Sequence, residues 1–127
     1  MNVNPHAAWR RRKKAAEATR AILVERFPRC FMPKGARKVP IKIGIYHDLR
    51  SAAPDISSRK IHRALQDYTT GRTYRRAMIA GAARLDLDGW PAGIVTTDEA
   101  EDARERLLKA DLNVARKESP DAPNAAA

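Results

Sequence analysis

The chain has 127 residues, enough for one domain of ordinary size and too few for two. Hydrophobic residues make up 43% of it, which allows a packed core, and a net charge of +10 indicates a polyanionic partner, nucleic acid before anionic membrane. No apolar stretch of about 18 residues occurs, which excludes a membrane-spanning helix, and a single cysteine, Cys30, excludes an internal disulfide. The positive N-terminal run lacks the apolar segment of a signal peptide, so we expect a cytoplasmic protein.

The positive charge is concentrated in the first part of the chain. Residues 1–76 contain 19 Lys and Arg against 5 Asp and Glu, a net charge of +14. Residues 77–127 contain 6 Lys and Arg against 10 Asp and Glu, a net charge of −4. A basic region localised in this way is typical of nucleic-acid-binding proteins.

A first helix is predicted from His6 to Phe27, because this segment is free of Gly and Pro and rich in Ala, Arg, Lys and Glu. Pro28 ends it. The run Arg10–Lys14 is basic on all sides, so it is either simply solvated or in contact with a partner. We divide the chain into three parts: a basic N-terminal arm or helix (1–19), a domain (20–117), and a disordered tail rich in Pro and Ala (118–127).

The segment 28–41 is a basic loop interrupted by prolines. The alternation that follows it is compatible with a strand, but Ile45, Leu49 and Ala52 have the spacing of a helix. With Pro40 placed just outside the helix start, a short helix is favoured here.

The clearest predicted element is a helix over 57–70, capped by Ser57. Its apolar side must face the core and consists of Ile61, Ala64, Leu65 and Tyr68. Its opposite side is polar and basic and consists of Arg59, His62, Arg63 and Gln66. After Gly71, another short helix over 72–80 places Tyr74 and Met78 on one face.

The C-terminal part predicts a β-hairpin and then a long helix. Ala83–Leu87 alternates in polarity, Asp88-Gly89 is a strong turn signal, and Gly93–Val95 supplies the second strand. Thr96 and Glu99 form a capping box for a helix that runs to about Lys117. Its buried side is expected to contain Ala100, Ala103, Leu107, Ala110 and Val114. The fold class is therefore α+β, mainly helical with one small β-hairpin.

No catalytic or metal-binding pattern stands out in the sequence. Asp86 and Asp88 form a D-x-D pair that could hold Mg²⁺, but they flank a turn, where Asp is common for structural reasons. His47 beside Asp48 is expected on a helix surface, and no nucleophile with its base, P-loop or dinucleotide fingerprint occurs. We therefore expect no enzyme activity, no metal, no cofactor and no small-molecule substrate. Cys30 is expected to be buried and inert.

Binding residues are easier to nominate. Arg59, His62 and Arg63 combine charge with hydrogen-bonding groups that suit phosphate contacts, although a solvated helix face has the same composition. Tyr74 stands among cations, where it can stack on a base, but its spacing also fits a core residue. Further candidates from the neighbouring basic sequence are Lys38, Arg72 and Arg75.

Several strings over about residues 20–115, in order and with compatible gaps, resemble the ProQ/FinO domain family. They are Glu25–Pro28 with Phe31, Pro40–Leu49, Arg63–Leu65, Tyr68-Thr69, Tyr74, and Gly81–Gly89 with its ending Asp-Leu-Asp-Gly. The resemblance implies a mainly helical fold with a small hairpin and a basic concave face. It implies binding of stem-loop RNA with a single-stranded 3′ tail. It also implies a chaperone role in sense–antisense or small-RNA pairing and in post-transcriptional regulation.

The resemblance also assigns site residues by matching position. RNA-contacting residues of the family fall on Lys42, Tyr74 and Arg84, and Tyr74 with Arg84 would form a pocket for the last nucleotide. Lys42 would lie beside a helix N-terminus, where a phosphate is favoured.

The chain departs from the family on helix 57–70. Ser58 and His62 stand where the family often has basic residues, so Arg59 and Arg63 are expected to supply charge from shifted positions. The basic N-terminal arm resembles the extension that assists strand exchange in FinO-like members.

Two other functions remain open. In the first, helix 57–70 is the recognition helix of a DNA-binding regulator, and Arg59, Arg63 and Gln66 read base edges. In the second, the chain is a basic adaptor that docks on the ribosome or on acidic proteins. The basic surface favours a monomer.

Overall fold

Residues 5–118, the part of the chain that the computed structural model describes, form five helices and one two-stranded antiparallel sheet. The elements are α1 (Pro5–Arg26), α2 (Ile45–Ala52), α3 (Ser58–Thr69), α4 (Arg72–Ala77), β1 (Ala83–Leu85), β2 (Pro91–Ile94) and α5 (Thr97–Glu118). The prediction of a mainly helical α+β fold with one hairpin agrees with this architecture. Helix α3 lies at the centre of the helical part, because α1 and α2 both pack against it. Helix α4 packs against α5.

The core is built around α3, from aliphatic side chains and three aromatic rings. Leu23 of α1, Leu49 of α2 and Ile61 of α3 are each at most 1% exposed. The rings of Phe31 and Tyr68 meet edge to face with centroids 5.1 Å apart. The other buried members of the core are Cys30, Ile41, Ile45, Ala53, Ile56, Ala64 and Tyr74. The buried side predicted for helix 57–70 is thereby confirmed, with Leu65 half-buried at its margin.

Helix α1 is continuous from Pro5 to Arg26, so the boundary predicted between residues 19 and 20 falls inside it. Ala16 and Thr19 are buried, whereas Arg10–Lys14 is exposed. The basic arm is therefore the exposed first half of a helix whose second half packs into the core. Residues 1–4 lie outside the described part of the chain.

The predicted helix after Pro40 begins four residues later than expected. Ile41 forms a parallel bridge with Leu85, in which the Lys42 amide donates to the Leu85 carbonyl and the Leu85 amide donates to the Pro40 carbonyl, both at 2.9 Å. Gly44, with φ of 85°, then turns the chain into α2. The helix prediction is confirmed for 45–52 and wrong for 41–44, because pairing with the hairpin satisfies these backbone groups instead.

Helices α3 and α5 begin as their sequences predict. The Ser57 hydroxyl accepts a hydrogen bond from the Lys60 amide at 3.3 Å. At α5, the Thr96 amide donates to the Glu99 carboxylate at 2.8 Å and the Glu99 amide donates to the Thr96 hydroxyl at 3.2 Å. These reciprocal bonds satisfy backbone donors that a helix N-terminus leaves free. Both predicted caps are confirmed.

The buried side of α5 is only partly as predicted. Ala100 and Ala103 are buried, whereas Leu107, Ala110 and Val114 are half-buried. The described part of the helix ends at Glu118, and most of the predicted disordered tail, residues 119–127, lies outside the described residues.

The hairpin turn is organised by Asp86. Its carboxylate accepts hydrogen bonds from the backbone amides of Asp88 at 3.0 Å and Trp90 at 2.9 Å. Gly89 has φ of 85°, and a Cβ atom there would lie 2.7 Å from the Cβ of Arg29, so the turn requires glycine. The D-x-D pair is thus engaged in turn formation, as the structural interpretation of the sequence expected.

Candidate nucleic-acid interface

The outward side of α3 presents cations and hydrogen-bonding groups to solvent. Arg59, His62, Arg63 and Gln66 are all exposed, and we call these four residues the α3 face. Their placement follows from the 3.6-residue period, since the opposite side of the helix carries the core residues. Exposed side chains of this kind can contact the phosphates of a nucleic acid.

The single acidic residue of α3, Asp67, points to α1 and is already neutralised. Its carboxylate accepts a hydrogen bond from Arg20 at 2.7 Å and another from Lys13. Burial alone raises the pKa of Asp67, but the hydrogen bonds from Lys13 and Arg20 outweigh it and hold the pKa below its ordinary value. The α3 face therefore keeps its positive potential, with Asp67 bound to cations of the neighbouring helix.

An aromatic pair extends the α3 face towards α2. The ring of His62 stacks on the ring of Tyr46 with centroids 4.0 Å apart and an interplanar angle of 21°. His47 meets the same tyrosine edge to face at 5.3 Å. Tyr46 was not among the predicted site residues. It follows the buried Ile45 and is itself only partly buried at the margin of the core. The stack orients the imidazole of His62, which fixes one member of the α3 face.

Lys42 lies before α2 and is partly engaged in an ion pair. Its ammonium donates to the Asp48 carboxylate at 2.8 Å, and this hydrogen bond raises the pKa of Lys42. Its side chain stays 38% exposed. Lys42 was expected directly beside the N-terminus of this helix. Because α2 begins at Ile45, Lys42 instead lies three residues before it.

A basic cleft opens between the loop that precedes Ile41 and helix α4. It has a volume of about 670 Å³, and no acidic residue lines it among residues 5–118. Its cationic lining residues are Arg37, Lys38 and Arg76. Its remaining lining residues are Gly35, Val39, Pro40, Thr73, Ala77, Ile79 and Ala82. We call this cavity the loop–α4 cleft.

Lys38 in the wall of this cleft is a buried cation. It is only 4% exposed, and its ammonium lies 5.3 Å from the centre of the Tyr68 ring. The guanidinium carbon of Arg20 lies 5.2 Å from the centre of the same ring. Burial lowers the pKa of Lys38, and the nearby Arg20 lowers it further. Lys38 takes part in no ion pair within the described residues, so an anion in the cleft would meet a cation that the fold has not neutralised.

Tyr74 and Arg84 are brought together by the fold, but both are buried. The Tyr74 hydroxyl accepts from the Ile41 amide at 3.1 Å, and Arg84 donates to the Ile41 carbonyl at 2.8 Å. Arg84 also donates to Glu99 at 2.8 Å, while its Nε has no partner within the described residues. Burial raises the pKa of Tyr74. The two residues thus bind the amide and the carbonyl of Ile41, next to Pro40 in the cleft wall. Their role as a pocket for the last nucleotide stays a prediction.

Arg72 and Arg75 face α5 in this structure. Arg72 forms an ion pair with Asp111, and Arg75 lines a cavity together with Glu99 and Asp102. The guanidinium of Arg72 is therefore held by an acidic residue of α5, whereas Arg75 shares a cavity with two others. Their predicted RNA contact is not tested by this arrangement.

The described residues offer no clear catalytic centre. No group of three or more His, Cys, Asp and Glu residues in this range could hold a metal ion. Cys30 is fully buried, as expected, and burial raises the pKa of its thiol to about 12. None of the helices within 5–118 combines the length and the apolar character that crossing a bilayer requires.

Comparison with protein families gives a match over most of the chain. The family model described as the ProQ/FINO family matches residues 13–120. The chain is 37% identical over 107 residues to the RNA chaperone ProQ of Histophilus somni (strain 2336), covering 82% of this chain and 50% of that relative. It is 41% identical over 90 residues to the RNA chaperone ProQ of Aeromonas salmonicida (strain A449), covering 68% and 42%. The chain thus spans about half the length of the curated relatives it matches.

Solved structures show the same fold. An NMR structure of a ProQ homolog from Legionella pneumophila matches with a TM-score of 0.64 and 29% identity, covering 74% of this chain and 81% of that one. A crystal structure of a FinO-like RNA chaperone from Neisseria meningitidis MC58 matches with a TM-score of 0.61 and 26% identity, covering 77% and 85%. These matches confirm the predicted fold class.

Proposed function

Because the chain belongs to the ProQ/FinO family, we propose that it binds structured RNA, a stem-loop followed by a single-stranded 3′ tail, and acts as an RNA chaperone. Two of its relatives are named RNA chaperone ProQ, and one solved structure is described as a FinO-like RNA chaperone. This chain spans about half the length of the curated relatives, and we propose that it has the same kind of activity. RNA is the partner, without catalysis or a cofactor.

The observation that carries the proposal is the α3 face. Arg59 and Arg63 are exposed and take part in no ion pair among residues 5–118, and the one acidic residue of the helix is bound by α1. His62 lies between them, held by its stack on Tyr46. We propose that this face contacts the phosphates of the RNA stem, where such contacts position the nucleic acid without reading its sequence.

We assign the 3′ tail to the loop–α4 cleft. Its volume of about 670 Å³ lies within the range of small-ligand sites, roughly 300–1,000 Å³. Lys38 supplies an unneutralised cation, and Pro40 supplies an apolar surface. Tyr74 and Arg84 do not line the cleft themselves, but they bind the amide and the carbonyl of Ile41, next to Pro40, and so help to hold the cleft wall in place. Lys42, two residues after Pro40 of the cleft wall, reaches the phosphate that precedes the tail.

The biological role that we propose is promotion of sense–antisense or small-RNA pairing in post-transcriptional regulation, by a monomer in the cytoplasm. The exposed basic part of α1, Arg10–Lys14, assists the pairing step. Arg72 and Arg75 contribute at the side of α4, where RNA competes with the acidic residues of α5 for their cationic groups.

A titration of four nucleic acids tests the proposal. They are one RNA hairpin with a 3′ tail, the same hairpin with the tail at its 5′ end, the blunt hairpin, and a DNA duplex with the stem sequence. We expect the 3′-tailed hairpin to bind about tenfold or more tighter than the other three, a difference of about 1.4 kcal/mol. Preference for the DNA duplex contradicts the proposal and favours a DNA-binding regulator.

A charge variant tests the α3 face in the same titration. The double change Arg59→Gln with Arg63→Gln is expected to weaken binding of every RNA and to reduce the log–log salt slope by about 1.4–1.8, since each phosphate contact contributes about 0.7–0.9. Lys109→Gln, at an exposed cation of α5, is the matched control. If the control and the double variant have the same salt slope, the α3 face does not bind RNA.

A further inference from the structure

A second groove lies where the exposed half of α1 passes α3. It has a volume of about 350 Å³, and α1 lines it with Trp9 and Arg12. Helix α3 and the residue after it line the opposite side with Arg63, Gln66 and Thr70. Arg63 and Gln66 also belong to the α3 face, so groove and face form one continuous surface. We call this cavity the α1–α3 groove.

Trp9 is the unusual member of this groove. It is 57% exposed and directly precedes the basic run Arg10–Lys14, whereas Ala16 and Leu23 of the same helix are buried. Indole is the largest apolar side chain, and leaving it in water is unfavourable unless a partner covers it. Because Trp9 lines a groove instead of projecting alone, a planar ligand can lie against it.

The charge of the groove favours an anionic ligand. Arg12 and Arg63 are exposed on opposite sides and form no ion pair with any residue of 5–118. Asp67 in the groove is held by Lys13 and Arg20, so its carboxylate is compensated. An aromatic surface in the same groove as two guanidinium groups without ion-pair partners among residues 5–118 matches the chemistry of a nucleotide, whose base stacks and whose phosphates carry charge.

We propose that the α1–α3 groove binds one unpaired nucleotide of the RNA, with its base stacked on Trp9 and its flanking phosphates bound by Arg12 and Arg63. Gln66 and Thr70 supply hydrogen-bonding groups for the base edge or the ribose. This inference rests on the proposed RNA-binding function and adds a single-strand subsite apart from the loop–α4 cleft. It gives α1 a defined contact with RNA instead of a diffuse attraction.

The two tryptophans of the chain make a direct test possible, because Trp90 is also exposed, at 67%, but lies in the hairpin turn. Trp90→Phe leaves Trp9 as the only indole, and Trp9→Phe leaves Trp90. Each protein is titrated with a hairpin that carries unpaired nucleotides on both sides of its stem, and with the blunt hairpin. We expect the flanked hairpin to quench the emission of Trp9 strongly and that of Trp90 little, and the blunt hairpin to quench neither.

Affinity provides the second readout. Trp9→Ala is expected to weaken binding of the flanked hairpin about fivefold or more, as loss of one stacked base does, and to leave binding of the blunt hairpin unchanged. Trp90→Ala, the matched control, is expected to change neither. Both side chains are exposed, so both variants should keep the native circular dichroism spectrum.

The outcomes separate this inference from the proposed function. If wild-type protein binds the flanked hairpin while Trp9 emission and the affinity of Trp9→Ala stay unchanged, the groove is empty and the inference is overturned, although RNA binding stands. If the blunt hairpin quenches Trp9 equally, the groove does not select unpaired nucleotides, which also overturns it. If wild-type protein binds no hairpin at all, the proposed function fails first.

Discussion

Arg84 connects three parts of the fold, and its removal should reveal how much stability this connection contributes. Its guanidinium donates to the Ile41 carbonyl at 2.8 Å and to Glu99 of α5 at 2.8 Å, from a side chain that is 7% exposed. Arg84→Ala breaks both bonds and leaves the Ile41 carbonyl without this donor. We expect the hairpin, the loop before α2 and the start of α5 to lose a common anchor.

The size of the effect follows from the two bonds. A hydrogen bond to a charged group contributes about 1.5–3 kcal/mol, and an unsatisfied buried acceptor costs about 1–3 kcal/mol. Glu99 keeps its bonds to Thr96 and is partly exposed, so the Ile41 bond accounts for most of the loss. We therefore expect Arg84→Ala to lower the free energy of unfolding by about 3 kcal/mol, and the melting temperature by roughly 10–15 °C.

Urea unfolding followed by far-ultraviolet circular dichroism measures this change, with a lower midpoint at an unchanged m-value as the expected result. Arg106→Ala is the matched control, because Arg106 is exposed and its one ion pair among residues 5–118 is with Asp102, one turn away, and such pairs contribute little. Arg84→Lys should fall between wild type and Arg84→Ala, since an ammonium cannot reproduce the forked geometry. Equal midpoints for Arg84→Ala and Arg106→Ala would refute the anchoring role.

Three further predictions concern stability and reactivity. Asp67→Asn should lower the free energy of unfolding by about 1–2 kcal/mol at neutral pH. The pKa of Asp67 is lower in the folded than in the unfolded protein, so its contribution to the free energy of unfolding is present above the unfolded pKa and is lost as the pH falls through the folded pKa. In acid, Asp67→Asn and wild type should therefore have the same free energy of unfolding. A difference between them that persists in urea melts at acid pH contradicts this. Thr96→Ala removes one side of the capping box and should cost about 1 kcal/mol in a urea melt, and no change there rules the cap out as a stabilising feature. The thiol of Cys30, with its pKa raised to about 12, should react with an alkylating reagent far more slowly in native protein than in urea, and equal rates would show that it is accessible.

The parts of the fold that sequence predicts well are those decided by local signals. Ser57 caps α3, the Thr96–Glu99 pair caps α5, and Asp86 organises the hairpin turn, each through groups within four residues of one another. The periodicity of α3 likewise separates its core side from its basic side. Such signals depend on neighbours along the chain and need no knowledge of the tertiary structure.

The features that sequence misses depend on contacts between distant segments. The helix that the spacing of Ile45, Leu49 and Ala52 favours was extended back to Pro40, but Ile41 bridges Leu85, more than forty positions away. Lys38 was nominated as a binding residue from its place in a basic loop, and nothing in that local sequence indicates that it is buried over the ring of Tyr68. The stack of His62 on Tyr46 joins two helices, and neither residue indicates it alone. For the same reason, no local pattern distinguishes a buried Tyr74 from an exposed one.

The central claim is that the protein recognises the 3′ end of a structured RNA, and one comparison of affinities tests it most directly. A single hairpin with a 3′ tail is prepared with either a 3′-hydroxyl or a 3′-phosphate, and both are titrated with wild-type protein at one salt concentration. We predict that the 3′-phosphate weakens binding about tenfold or more, which corresponds to about 1.4 kcal/mol. Equal affinities for the two ends would contradict the claim and would leave only binding to the charge of the RNA backbone.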